Sequence, residues 1–264
     1  MLAGMIPTLL ACTLYLATAL LIWRRPHAIL ERTLPPLALA LHGAALSVFV
    51  FGAGTITLGF TEALSLFTWQ SSLLLWALCF REPLRILGTA IYPLTALAAI
   101  VAVIWPSPSS DIVIDSWKVQ LHIILSLFSA GLLTLAAVQS ILLAIQDRLL
   151  HRHQLTQLSR ALPPVQTMER LLFQLIGIGF VLLSLTLLSG IWFIHDWMAQ
   201  HLAHKTILSI TAWLIFGILL WGRVRHGWRG RVAIRWALAG YAMLILAYFG
   251  SKLILEEMLG RHWT

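Results

Sequence analysis

Long apolar runs, separated by short polar connections that carry most of the arginines, recur from one end of the chain to the other. Eight runs are long enough to span a bilayer, at approximately residues 5–23, 34–51, 62–80, 86–105, 120–145, 170–194, 205–222 and 234–255. A spanning helix needs roughly 20 apolar residues. A barrel strand needs about half that and alternates with a period of two, and no such alternation is present. Hydrocarbon offers the backbone no outside partner, so runs of this kind satisfy their N–H and C=O groups internally, as helices. The expected architecture is an all-α, polytopic membrane bundle of about eight transmembrane helices. No linker of disordered composition interrupts it, so residues 1–264 read as a single transmembrane domain.

Composition sharpens this reading. Of the 264 residues, 59% are apolar and 11% charged, where soluble domains carry about a quarter charged residues. Mean hydropathy is +0.88. Soluble, disordered, collagen-like and disulfide-stapled classes are all excluded. A net charge of +8 would suggest nucleic acid if it were clustered on a domain, but here it lies in the connections. All 18 Lys and Arg except Lys118, Lys205, Lys252 and Arg261 belong to one alternating set of loops. Basic residues stay on the cytoplasmic side, which places both termini on the outer, periplasmic side of a bacterial inner membrane. The first run lacks a basic leader and is followed by Arg24 and Arg25, so it reads as a retained span. The basic loop 223–231, with Trp228 at its centre, reads as a headgroup contact with an interfacial aromatic.

Several chemistries are then set aside. Ion-coupled carriers keep ionisable side chains within the membrane, whereas every acid here, from Glu31 to Glu257, falls in a loop or near a span end. Cys12 and Cys79 stand alone in separate spans, which argues against thiol exchange or thioether attachment of haem. No zinc-protease helix, phosphate-binding glycine loop or nucleophile elbow occurs. No covalent chemistry is expected, and the chain does not read as an enzyme.

Histidine is what remains. His42 lies mid-span, where an interhelical hydrogen bond and a ligand role are both open. His122 opens the fifth run and His195 closes the sixth, so both should lie at one depth on antiparallel neighbours. Two neutral imidazoles facing across a cleft form a workable axial pair for haem iron, and Trp117, Trp192 and Trp197 could supply porphyrin faces. The alternative is that these tryptophans are interface anchors and the histidines ordinary interfacial residues.

Sequence motifs bear on that choice. They are His122-Ile-Ile-Leu-Ser-Leu-Phe-Ser-Ala, Leu162-Pro-Pro-Val-Gln-Thr-Met-Glu-Arg-Leu-Leu-Phe173 and Gly190-Ile-Trp-Phe-Ile-His195. Lys205-Thr-Ile-Leu-Ser-Ile-Thr-Ala-Trp213, Leu220-Trp-Gly-Arg, His226-Gly-Trp-Arg-Gly-Arg231 and Ala247-Tyr-Phe-Gly-Ser-Lys252 follow in order. Over about residues 117–255 the chain resembles the cytochrome c assembly family of haem-handling membrane proteins, and within it the short bacterial inner-membrane subgroup known as YpjD-like. His122 matches the family histidine that opens an outer span, and Lys205 matches the lysine that closes the tryptophan-rich loop. The loop itself is replaced here by residues 196–204, and Trp221 stands where a later family histidine is found.

The resemblance implies a haem-binding protein of haem handling or cytochrome c biogenesis, holding b-type haem noncovalently. His122 and His195 are the axial candidates, with His42, Trp117, Trp192 and Trp197 as further cofactor contacts. Haem, membrane lipid and other cytochrome-assembly membrane proteins are the implied partners, with no nucleic acid. The same resemblance is compatible with an accessory or scaffold protein that has lost the haem site, and a small-molecule permease is a more distant reading.

Overall fold

The structure, a computed structural model, describes residues 2–24, 28–51, 57–58, 60–106, 110–111, 117–151, 162–193 and 200–250. They form two compact units, residues 1–115 and 116–264.

The first unit contains α1 (Leu2–Arg24), α2 (Ala28–Phe51), α3 (Phe60–Leu78) and α4 (Gly88–Ile104), the last preceded by a 3-10 turn at Arg85–Leu87. A two-residue antiparallel ladder pairs Thr57–Leu58 with Ser110–Asp111. Each helix packs on its chain neighbour and α1 closes on α4. Hydroxyls and an indole tie the four together: Trp69 Nε1 donates to the Leu39 carbonyl (2.8 Å), and Ser72 and Thr95 share a 2.7 Å hydrogen bond. Such polar cross-links take over where water cannot drive helices together.

The second unit contains α5 (Trp117–His151), α6 (Val165–Phe193), α7 (Gln200–His226) and α8 (Gly230–Ile245), which runs on into a π turn at Leu246–Gly250. It has the same cyclic order, with α8 returning against α5. Contacts fix every neighbour as antiparallel. Ser129 Oγ donates to the Gly179 carbonyl across α5–α6 (3.0 Å), and Trp213 Nε1 to Ser184 Oγ across α6–α7 (2.8 Å). Thr134 and Tyr241 meet across α5–α8 at 2.9 Å. Leu133, Leu135, Leu143, Leu171, Leu172, Ile176 and Phe216 fill the interior. Gly179 lies so close to Leu133 that a Cβ there would stand 2.9 Å from the leucine side chain, and this allows α5 and α6 their tight approach.

Large apolar side chains cover the outside of both units: Leu9, Leu16 and Leu20 on α1, Leu94 and Leu97 on α4, Ile178, Val181 and Leu188 on α6 are all exposed. A soluble surface does not carry such extended apolar cover. Among the described residues, six helices are long and apolar enough to cross a membrane, against the eight runs expected. The two that differ are α2 and α3. On α2 the described apolar stretch is Thr33–Val48, and Phe49, Val50 and Phe51 continue it along the sequence. The α3 helix carries Thr61, Glu62, Ser65, Gln70, Ser71 and Ser72, all buried inside the first unit. Its polar face lowers its hydropathy because that face is not the one turned outward.

At the arginine-bearing end of the second unit the chain turns through a packed aromatic knot. Gly227 and Gly230 adopt φ of 67° and 54°, values that favour glycine. The Trp228 ring lies against Gly222, where a Cβ would come within 2.4 Å of it, and 5.5 Å from Trp236. Arg223 donates to the Trp228 carbonyl (3.2 Å) and stacks on Phe173 at 4.6 Å. Trp228, expected as an interfacial aromatic, also packs into this turn. Glu169, 8% exposed, accepts the Gly230 N–H at 2.7 Å and so caps α8 from α6.

Candidate functional site

The opposite end of the second unit brings together the start of α5, the end of α6, the start of α7 and the π turn after α8. Their side chains enclose a cavity of about 210 Å³. Leu183, Leu187 and Ile191 of α6 and Ile210 of α7 make its wall apolar, while His122, Lys205, Ser209 and Tyr248 bring polar groups to it.

His122 sits one turn into α5 and is held from α6. Its Nδ1 lies 2.9 Å from Ser189 Oγ, and Ser189 in turn donates to the Thr186 carbonyl at 2.8 Å. With the Ser189 proton on the Thr186 carbonyl, Ser189 accepts from the ring, and in that arrangement Nδ1 carries the proton. In a neutral imidazole this leaves the Nε2 lone pair available, and among the described residues no hydrogen bond engages it. Orientation of one ring nitrogen by a hydrogen bond to the other is the usual support of a metal-binding histidine. Gly190 clears the space: a Cβ there would lie 3.3 Å from His122 Cε1. The arrangement brings an imidazole, an apolar wall and the Lys205 side chain to one cavity.

The other expected residues are placed differently. Trp117 and Trp192 are 65% and 83% exposed and neither lines the cavity, so the porphyrin faces expected of them are not at this site. His195 and Trp197 lie outside the described residues. His42 belongs to the first unit, 1% exposed, with Nε2 2.9 Å from Ser65 Oγ and its ring edge-on to Tyr15 at 6.0 Å. The void beside it is about 10 Å³, room for at most one water and far below a cofactor pocket. His42 is placed as an interhelical hydrogen-bonding residue. Among the described residues, no group of three or more His, Cys, Asp or Glu is placed to hold a metal ion by itself.

Sequence reasoning missed Thr186 and Ser189. The signal was present: hydroxyl residues at i and i+3, followed by Gly190, at the end of an apolar helix, mark a face that another helix approaches closely. Tyr248, whose Oη donates to the Ser126 carbonyl at 3.5 Å, had no such signal.

Two four-helix units with an apolar exterior, one of them with a cavity lined by His122 at its helix ends, define a polytopic membrane protein. The family model for the cytochrome C assembly protein matches residues 7–259, and the chain belongs to that family. It is 41% identical over 133 residues to the Inner membrane protein YpjD of Escherichia coli strain K12, covering 50% of each chain. An uncharacterized 28.8 kDa protein of Azospirillum brasilense is 38% identical over 144 residues, 54% of this chain and 53% of that one. The cytochrome c biogenesis protein CcsA of Gloeobacter violaceus is 27% identical over 100 residues, 37% of this chain and 30% of its own. The chain thus spans about half the length of the curated relatives it matches first. No solved structure matches it.

Proposed function

We propose that this chain binds b-type haem noncovalently and takes part in haem handling or cytochrome c biogenesis, with His122 as an axial ligand. The chain is a multi-pass protein of the inner membrane, and its membership of the cytochrome c assembly family connects it with haem. The observation that carries the ligand assignment is the Ser189–His122 hydrogen bond, which leaves Nε2 as the unprotonated nitrogen. Lys205, on the cavity wall, supplies a positive charge for a propionate, and Leu183, Leu187 and Ile191 supply apolar contact for the ring. His195, two positions after the last residue of α6 in the sequence, is the proposed second ligand. Bound haem would supply reversible one-electron chemistry at iron. The protein residues orient the ring, exclude water from one face and hold the Nδ1 proton in place. The role is one of binding and not of catalysis.

The asymmetry of Lys and Arg supports an orientation with both termini outside, which puts the His122 cavity on the periplasmic side and the aromatic knot in the cytoplasm. The test is the absorption spectrum of protein purified from haem-replete cells. A Soret band with reduced α and β bands is expected. A colourless protein would instead support the accessory or scaffold reading, which the outward placement of Trp117 and Trp192 favours.

A further inference from the structure

We propose that the cleft between the end of α5 and the start of α8 holds the phosphate headgroup of an anionic phospholipid, gripped by Arg148, Arg231 and Arg235. This inference is independent of the haem reading, because the cleft lies at the other end of the second unit. Its volume is about 460 Å³. Three arginines and one acid, Asp147, line it, above a floor of Ile234, Leu238 and Ala144.

The single acid is already engaged. Asp147 Oδ2 accepts from Arg231 Nε at 3.1 Å, and its Oδ1 lies 3.4 Å from His151 Nδ1. Contact through Nε leaves the terminal nitrogens of Arg231 off the carboxylate. Arg148 and Arg235 have no ion pair among the described residues. Glu169 of α6 is committed to the Gly230 N–H and does not line the cleft. Three arginines thus line a space with one engaged carboxylate, a net excess of positive charge. Arg231 and Arg235 are spaced i, i+4 and share one face of α8, and Arg148 adjoins Asp147 on the helix opposite. Guanidinium forks match phosphate oxygens bidentately, and basic pockets between transmembrane helices hold lipid headgroups.

The floor distinguishes a lipid from a free anion. Ile234 and Leu238 lie one turn apart on α8, and each is a turn or less from an arginine, so apolar side chains adjoin the arginines within the cleft. Both helices are among those apolar enough to cross the membrane, and their charged ends lie where a bilayer keeps its phosphates. A phosphodiester with acyl chains uses the arginines and the floor together, whereas inorganic phosphate uses only the arginines.

The experiment titrates phosphatidylglycerol onto the full-length protein in uncharged detergent, with occupancy read by native mass spectrometry. An arginine near an anionic headgroup contributes about a fivefold gain in affinity, so the Arg148→Gln, Arg235→Gln double variant should lose about 30-fold. The single variants should each lose about fivefold, and they carry the test if the double variant does not fold. Phosphatidylcholine should not bind saturably, and inorganic phosphate should not displace phosphatidylglycerol. Arg81→Gln, the loss of an exposed arginine in the first unit, should change nothing. Wild-type affinity in the variants overturns the proposal. So does an equal loss in Arg81→Gln, which would signal bulk charge, or displacement by inorganic phosphate, which would make the site a free-anion site.

Discussion

Ser189 Oγ stands 2.9 Å from His122 Nδ1 and donates its own hydrogen bond to the Thr186 carbonyl one turn back. A serine that is only 6% exposed thereby decides which imidazole nitrogen keeps a lone pair. This relationship links α5 to α6 and gives the cavity its one oriented donor.

Replacing Ser189 with alanine removes that support without touching the ring. Loss of such a partner lowers metal-site affinity by about 10- to 100-fold. Haem titration of Ser189→Ala should show a fall of that size with a helical circular dichroism spectrum like that of the wild type. Ser189→Thr, which keeps the hydroxyl, should retain most of the affinity.

Two glycines on α6 should separate site from scaffold. In Gly190→Ala the new methyl would press on His122 Cε1 from 3.3 Å, so the ring must shift by a few tenths of an ångström. The expected result is weaker haem retention and an altered Soret position. In Gly179→Ala the methyl would meet Leu133 at 2.9 Å, and overpacking of this kind costs about 1–3 kcal/mol. Thermal unfolding in detergent should register that loss while the spectrum of the folded protein stays unchanged.

The basic turn is a third test. Glu169→Gln removes a charged partner from the Gly230 N–H, and hydrogen bonds to charged groups contribute about 1.5–3 kcal/mol. Gly222→Ala drives a methyl into the Trp228 ring, with a cost of about 1–3 kcal/mol. Both variants should unfold at lower temperature and shift tryptophan emission, and neither should change haem content.

His42→Leu should act on the first unit alone. Interhelical hydrogen bonds within membranes contribute about 0.6–2 kcal/mol, so a modest fall in thermal stability is expected, together with an unpaired Ser65. Haem content should match the wild type. Loss of haem in this variant would return His42 to the ligand set.

The apolar runs were legible as helices because backbone satisfaction in hydrocarbon leaves no other solution, and His122 was legible as the first residue of interest at its span end. The count of spans was less so. The α3 run looked apolar on average, but Glu62, Ser65 and Gln70 are directed into the first unit, a tertiary choice that composition does not reveal. Trp117 and Trp192 lie near His122 and Ser189 along the chain, yet their helical phase turns them outward. Proximity in sequence at a helix end does not settle which face a side chain takes. The Thr186–Ser189 pair went unread for the opposite reason: its spacing was visible, but its meaning depended on which helix came to lie against it.

The most direct test of the account is haem stoichiometry, measured by pyridine haemochrome assay on wild-type protein and on His122→Ala purified side by side from haem-replete cells. The account predicts bound haem in the wild type and a loss of most of it in the variant. Haem retained in full by His122→Ala, or its absence from both proteins, would contradict the assignment of this imidazole as an iron ligand.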